Sequence, residues 1–517
     1  MPAKTLVIGL DSINATLLER WADRGCLPNV AALRARASVF RLDAACMDTL
    51  PGAIWSDIIY GQDSARHGLY FHPEQLDVQT GLTRRVPQDQ LLADRTVWRT
   101  ASTAGRRCAV VDVPFMPLVP DDNCVQVREY AVHDISYGFG TAPPELGAEL
   151  VARHGEPPLH SKSCDTEYER KGTEFICRAL LERAQRKTSL LSDLMGRETW
   201  DLFFAVYGES HCGSHYLWPR QASGDMLHTE AESAMDVWEP TRMLYQRIDA
   251  GIGRLVAEAG PEAGVILFIS HGVGPYFGGP QLLPEFLRRL ELSDGREWPG
   301  RWRLRQLADS VRRKIPVRLV SDLPLASGGA IASVRRFLGA ELHRGANARS
   351  KAFAMPNNRI GAIRLNIAGR DPHGCLSCEE ARALAETLIH ELKRLKAPDG
   401  TPIVHSIQRT AEVFGNDAAA WLPDLLVKFR TDLGPIERCH SPAVGHIHAP
   451  NARPYYRRAG DHVPQSRAWI SAPEYPPGRQ SRGDVLDLAP TILDLAGVAR
   501  PAHMTGVPLR ARLADRQ

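Results

Sequence analysis

The chain has 517 residues, of which 44% are hydrophobic and 24% charged, and a formal net charge of +3. That length suits one large α/β core with insertions, or two to three domains. The charge is too mild to indicate a nucleic acid or membrane surface as partner. No apolar run approaches the roughly 18 residues that a membrane span needs, and the run Thr5–Leu10 is too short for a secretory signal core. A cytoplasmic protein is therefore expected. Its 10 cysteines are scattered through a large chain and are expected to be reduced thiols. Cys375 and Cys378 form one CxxC pair, without a second pair to complete a zinc ligand set.

In chain order, Thr5–Leu10 reads as a buried strand ending at Asp11, and Ala15 to Arg36 has helical periodicity through Leu17, Leu18, Trp21, Leu27 and Leu33. A second helical stretch, Ile54 to Ile59, closes at Gly61, a residue suited to a C-terminal cap. Val97 to Ala104 reads as helix, followed by the strand pattern Cys108–Val113, which Asp201–Val206 and Gly264–Ile269 repeat. Continuous apolar runs alternating with helices predict a mostly parallel sheet covered by helices on both faces. In such sheets ligands collect at the carboxyl ends of the strands, where Asp11, Glu209 to His211 and His271 fall. Residues 1–114, 196–286 and 401–517 are assigned to this core. Residues 115–195 read as an insertion, and 287–400 as a second one, opening with a basic run from Arg288 to Arg318. That run is either a solvated helical face or a cap attracting anionic ligands.

Several residues carry chemistry. Asp11 ends the first strand, where an Asp is as often a helix cap as a ligand. Thr49, in Asp48-Thr-Leu-Pro-Gly-Ala-Ile-Trp55, precedes a helix with Pro51 in its first turn. A hydroxyl there has free amides and the positive end of the helix dipole beside it, which favours an attacking oxygen and a bound phosphate alike. The same position also reads as a plain N-cap. His211 and His215, four apart after a buried strand, share one face if the segment is helical, a spacing common in metal sites. Glu209 would point the same way as His211 if the chain were still extended there. His271 follows another strand, and His462 lies in a polar loop far downstream.

Taken together, Asp at the first strand end, Thr before a helix, the histidine pair, Ser270-His-Gly and Gly460-Asp-His462 resemble the alkaline phosphatase superfamily, and within it the type I phosphodiesterase and nucleotide pyrophosphatase branch. Tyr60-Gly-Gln-Asp-Ser-Ala-Arg-His-Gly68, Ala420-Trp-Leu-Pro-Asp-Leu-Leu-Val427, Asp487-Leu-Ala-Pro-Thr491 and Thr505-Gly-Val-Pro-Leu509 fit the same pattern. The resemblance implies an α/β alkaline phosphatase-like core and two divalent metal ions, usually zinc, with manganese or iron as alternatives. It also implies a small phosphate ester as substrate. Asp11, Thr49 and His271 would serve the metal that activates the nucleophile, and His215 and His462 the second. His211 stands where the family usually has Asp, and Ser270 where it has the Asp before His271. An imidazole keeps a zinc site intact, whereas Ser270 leaves it short of a carboxylate that Glu209 or Asp461 would have to replace.

The interval from Thr49 to Gly61 is longer than the family's, and Ser56 is the fallback hydroxyl, placed inside the predicted helix. Cys46-Met-Asp-Thr does not supply the C/S-x-P-x-R context of a sulfatase. The implied activity is phosphodiester hydrolysis through a covalent threonine intermediate. Three alternatives remain open: a metal- or ligand-binding relative with little turnover, a transferase using the same intermediate, and a single-metal hydrolase on His211, His215 and His462.

Overall fold

The computed structural model describes residues 3–77, 82–159, 163–168, 171–219, 237–293, 350–416, 421–448 and 458–514. Its centre is a nine-stranded sheet. From one edge to the other its strands are Gln480–Asp484, Ser38–Asp43, Ser466–Ser471, Gly264–Ile269, Ala3–Leu10, Trp200–Tyr207, Cys108–Val111, Cys124–Arg128 and Gly140–Ala142. The sheet is mostly parallel. Ser466–Ser471 runs against both its neighbours, and Gly140–Ala142 against Cys124–Arg128.

Alternation along the central strands buries both faces. Leu6, Ile8 and Leu10 enter one core with Phe203, Ala205 and Tyr207, while Val7 enters the other with Leu202, Phe204 and Val206. The long helices Thr173–Met195 and Glu239–Ala259 cover the first face through Leu180, Ala184, Leu191, Leu244, Ile248 and Leu255. Ile54–Tyr60, Val97–Thr103 and Leu488–Leu495 cover the second. Such two-sided burial is the physical reason these strands read as unbroken apolar runs.

Three expectations need adjustment. The helical stretch from Ala15 to Arg36 is two helices, Ala15–Asp23 and Pro28–Ala35, because Gly25 takes φ +76 and Pro28 opens the second. The insertion expected at 115–195 contributes two strands and a covering helix to the main sheet. The boundary expected at 400/401 falls inside a separate antiparallel sheet, ordered Ala352–Met355, Ile360–Leu365, Leu425–Phe429, Val404–Arg409. The helix Cys378–Lys393, started by a Ser377/Glu380 capping box, packs in the same apolar core. Of the basic run, Arg288 and Arg289 pair with Glu285 at 2.6 and 2.8 Å as a solvated helix face. Arg296, Arg301, Arg303, Arg305, Arg312, Arg313, Lys314 and Arg318 lie outside the described residues.

The late motifs hold the scaffold together. The Asp487 carboxylate accepts the Val507 amide at 2.8 Å, the Thr491 hydroxyl accepts the Leu509 amide at 2.9 Å, and Thr505 N–H donates to the Gly61 carbonyl at 2.8 Å. Gly61 caps its helix at φ +60, as its sequence position indicates. No helix among the described residues is long and apolar enough to cross a membrane.

Candidate metal centre

Strand register builds the site. Leu10 pairs with Tyr207 on one side and Ile269 on the other. The next residues along the three strands, Asp11, Gly208 and Ser270, therefore emerge at one level. From Gly208 the chain turns into the helix Glu209–Tyr216, where His211 and His215 stand one turn apart on one face. The hydroxyl of Ser210 donates to the Asp11 carbonyl at 2.6 Å and fixes the helix against the first strand. His462 arrives on the short strand Gly460–Val463, paired antiparallel with Gly272–Pro275, so that it lies opposite Val273 and beside His271. That strand presses onto the helix so closely that a Cβ at Gly460 would meet the Ser214 carbonyl at 2.1 Å, a contact only glycine tolerates.

Asp11 is the hub. Its Oδ2 faces His211 Nδ1 at 2.8 Å, and its Oδ1 accepts Trp55 Nε1–H at 2.9 Å and the Ser270 hydroxyl at 3.1 Å, with His271 Nε2 at 3.4 Å. Burial alone would raise its carboxyl. His211, His271 and Trp55 together outweigh burial and hold it below the usual carboxylate range.

The histidine rings then pose a proton-accounting problem. His211 Nδ1 faces a carboxylate and His215 Nδ1 faces the Gly460 carbonyl at 2.9 Å, so both carry their proton on Nδ1. Their Nε2 atoms, left with lone pairs, nonetheless face each other at 3.0 Å, and His462 Nε2 stands 3.0 Å from that of His211. Burial keeps these rings neutral: it lowers His211 and takes His215 and His462 well below the ordinary histidine value. It takes His271 down to about 4. Neutral, buried, converging lone pairs repel unless a cation sits among them, so the donor set fits a divalent metal ion. The ligand atoms gather as His211, His271 and His462, and as His133, His211 and His215, each set lying within 4.8 Å of one another. His211 belongs to both.

The other predicted residues lie around this core. Ser270, fully buried, bonds to Asp11. Asp461 turns back to accept the His462 amide at 2.8 Å, and burial raises its carboxyl. Glu209 departs from expectation. The chain is helical at that point, so residues two apart diverge by about 200°, and the Glu209 carboxylate lies 3.4 Å from Lys187 Nζ instead. Burial raises its carboxyl, against the pull of Lys187 and Arg183. Thr49 closes a 3-10 turn, Ala45–Asp48, and its hydroxyl donates to the Ala45 carbonyl at 3.0 Å rather than to Asp11 or a histidine. The helical run that follows starts as another 3-10 turn at Pro51 with Leu50, not Thr49, in the cap position. Ser56 is buried inside the helix, as expected.

Sequence reasoning missed His133, whose ring stacks on His211 with centroids 3.9 Å apart. It lies five residues beyond the strand Cys124–Arg128, in a stretch read as an insertion. The alternating apolar pattern of that strand was the available signal. Asn357 and Arg359 were missed too. Both come from the turn between Ala352–Met355 and Ile360–Leu365, and they donate to the carbonyls of Thr49 (2.8 Å) and Met47 (3.0 Å), bracing the loop that carries Thr49. The cysteine expectation is also corrected: Cys164 and Cys212 form a disulfide, brought together by the fold across 48 residues of sequence.

No family model and no curated protein matches the chain. Solved structures do. Phosphonoacetate hydrolase from Sinorhizobium meliloti 1021, in complex with phosphonoformate, superposes with a TM-score of 0.53 at 12% identity over 96% of both chains. The wild-type alkaline phosphatase PafA superposes with a TM-score of 0.55 at 13% identity over 99% of both. The chain has the alkaline phosphatase fold. Within an alkaline phosphatase fold of such low identity, the histidine cluster stands on its own geometry, at the strand ends where the topology collects ligands.

Proposed function

We propose that this chain is a metal-dependent hydrolase of small phosphate esters, phosphodiesters foremost, with Thr49 as nucleophile. The observation that carries the reading is the buried cluster of imidazoles around Asp11, in which the Nε2 lone pairs of His211 and His215 face each other without a proton between them. Asp11, His211, His215, His271 and His462 would hold two divalent ions, zinc in the first instance, with His133 as a further imidazole. Bound there, the metals would supply the charge that lowers the pKa of an attacking oxygen and neutralises the non-bridging oxygens of the phosphoryl group. Asp11 fixes the His211 tautomer through Nδ1, and the Gly460 carbonyl does the same for His215, so both rings present Nε2 inward.

In the reaction, the Thr49 hydroxyl leaves its bond to the Ala45 carbonyl and its oxygen attacks phosphorus, the hydroxyl proton passing through solvent to the departing ester oxygen. The ester oxygen departs with its electron pair, leaving a phosphothreonine diester. Water then cleaves the new bond, releases the phosphate monoester and restores the hydroxyl. Asn357 and Arg359 hold the loop in register for that attack through the carbonyls of Thr49 and Met47.

The test is Thr49→Ala assayed on chromogenic phosphomonoesters, phosphodiesters and sulfate esters, with metal content measured in the same samples. Loss of phosphodiester turnover with metal retained is expected; undiminished turnover removes Thr49 from the mechanism. A second reading, a metal-binding protein with little turnover, is favoured by the Thr49 hydroxyl being bonded within its own turn. It predicts that the wild type itself binds metal and leaves every ester intact.

A further inference from the structure

Behind the histidine cluster lies a second group of ligand-type atoms with a different character. Cys212 sits on the same helix as His211 and His215. Its Sγ is bonded to Cys164 and lies 3.4 Å from His133 Nδ1. The ligand atoms of His133, Cys164 and Cys212 all lie within 4.8 Å of one another, and all three residues are buried. Arg183, itself only 1% exposed, aims Nη1 at both sulfurs, at 3.2 Å from Cys164 and 3.6 Å from Cys212. A buried guanidinium donating to sulfur offsets negative charge placed there.

We infer that, when the Cys164–Cys212 bond is reduced, His133, Cys164 and Cys212 form a further site, adjoining the histidine cluster at His133, for a thiophilic divalent cation such as zinc. The charge balance supports it. Lys187 and Arg183 beneath this group are matched by Asp112 and Glu209, with Lys187 3.0 Å from Asp112 and 3.4 Å from Glu209. The disulfide state is therefore balanced without a metal, and two thiolates would add two negative charges that a divalent cation offsets. Two thiolates and one imidazole are a zinc ligand set that leaves a fourth position open. The site differs from the histidine cluster in ligand chemistry, and its imidazole is shared with the His211 and His215 set.

The step is a thiol–disulfide exchange. A dithiol reductant delivers two electrons and two protons to the Cys164–Cys212 bond and becomes a cyclic disulfide. Zinc then takes the place of the two thiol protons, which leave to solvent. Both sulfurs are sealed from solvent, so the two states are prepared by folding the full chain with and without reductant.

The experiment compares zinc per chain in the two preparations after desalting. It uses a Cys375→Ser, Cys378→Ser background, because that exposed pair is another possible thiolate site. One extra zinc per chain is expected in the reduced protein, together with a thiolate-to-metal charge-transfer absorption when cobalt replaces zinc. Cys164→Ser should abolish both. Equal zinc in the two states, or extra zinc that survives Cys164→Ser, overturns the inference. The cobalt spectrum needs no variant, so absence of the thiolate band in the reduced wild-type cluster overturns it even if Cys164→Ser does not fold. Zinc in the oxidised chain reports the histidine cluster separately. Its absence there would refute the proposed hydrolase without touching this site.

Discussion

Two clusters of buried titratable groups meet at the Glu209–Tyr216 helix, and they are balanced in opposite ways. On one side, Lys187 bonds to the Ala131 and Val206 carbonyls and lies among Asp112 and Glu209, so every charge has an internal partner. On the other, His211 and His215 bring their Nε2 lone pairs together with no charge between them. Neighbouring residues of one helix, Glu209 and His211, thus divide between a cluster held by ion pairs and one whose facing lone pairs fit a cation. Burial of polar groups is equally deep in both. What separates the two is whether opposite charges already stand beside each other.

The largest break in that comparison should come from His211→Ala, because this ring belongs to both ligand sets. Metal analysis should find the histidine cluster emptied and turnover gone, while denaturation of the chelated protein changes by no more than about 1–2 kcal/mol. A large loss of apo stability would instead make the cluster structural. Lys187→Met should do the reverse. Leaving Asp112 and Glu209 buried without their cation should cost about 3–5 kcal/mol of unfolding free energy, read by urea denaturation of the chelated protein. If stability is unchanged and metal is lost, the two clusters are not separate.

The smallest expected effect is in the pH dependence. The folded pKa of His271, about 4, lies below its unfolded value of 6.5 because burial penalises the charged ring. The folded state therefore prefers the neutral form. The associated stability is fully present above 6.5 and is lost as pH falls from there through about 4. Chelated wild type should lose about 1–3 kcal/mol over that window beyond what His271→Gln loses. Identical acid profiles would show that His271 is not held neutral by its surroundings.

Much of the fold was legible because its causes are local or periodic. Strands buried on both faces must be apolar throughout, so Cys108–Val111, Trp200–Tyr207 and Gly264–Ile269 announce themselves. Gly61 and Pro28 mark helix ends through backbone constraints that no tertiary contact overrides. The site was legible in part for a related reason: Asp11 and His271 stand where strands run out, and His211 and His215 are one helical turn apart. His133 and Arg359 were hidden because each follows an element that belongs to the core or braces it only through long-range pairing.

The chain by itself determined the central apolar strands and the helices next to them, and that ligand-type side chains would collect at one end of the sheet, since hydrophobic period and turn chemistry are written residue by residue. Only the tertiary structure decided the partners. It set Glu209 against Lys187 instead of a metal, turned the Thr49 hydroxyl onto Ala45, joined Cys164 to Cys212 and placed three Nε2 atoms face to face. Those outcomes depend on the direction of a side chain and on the distance between residues up to 251 apart in sequence, quantities that strand register and helix packing set and that sequence spacing does not contain.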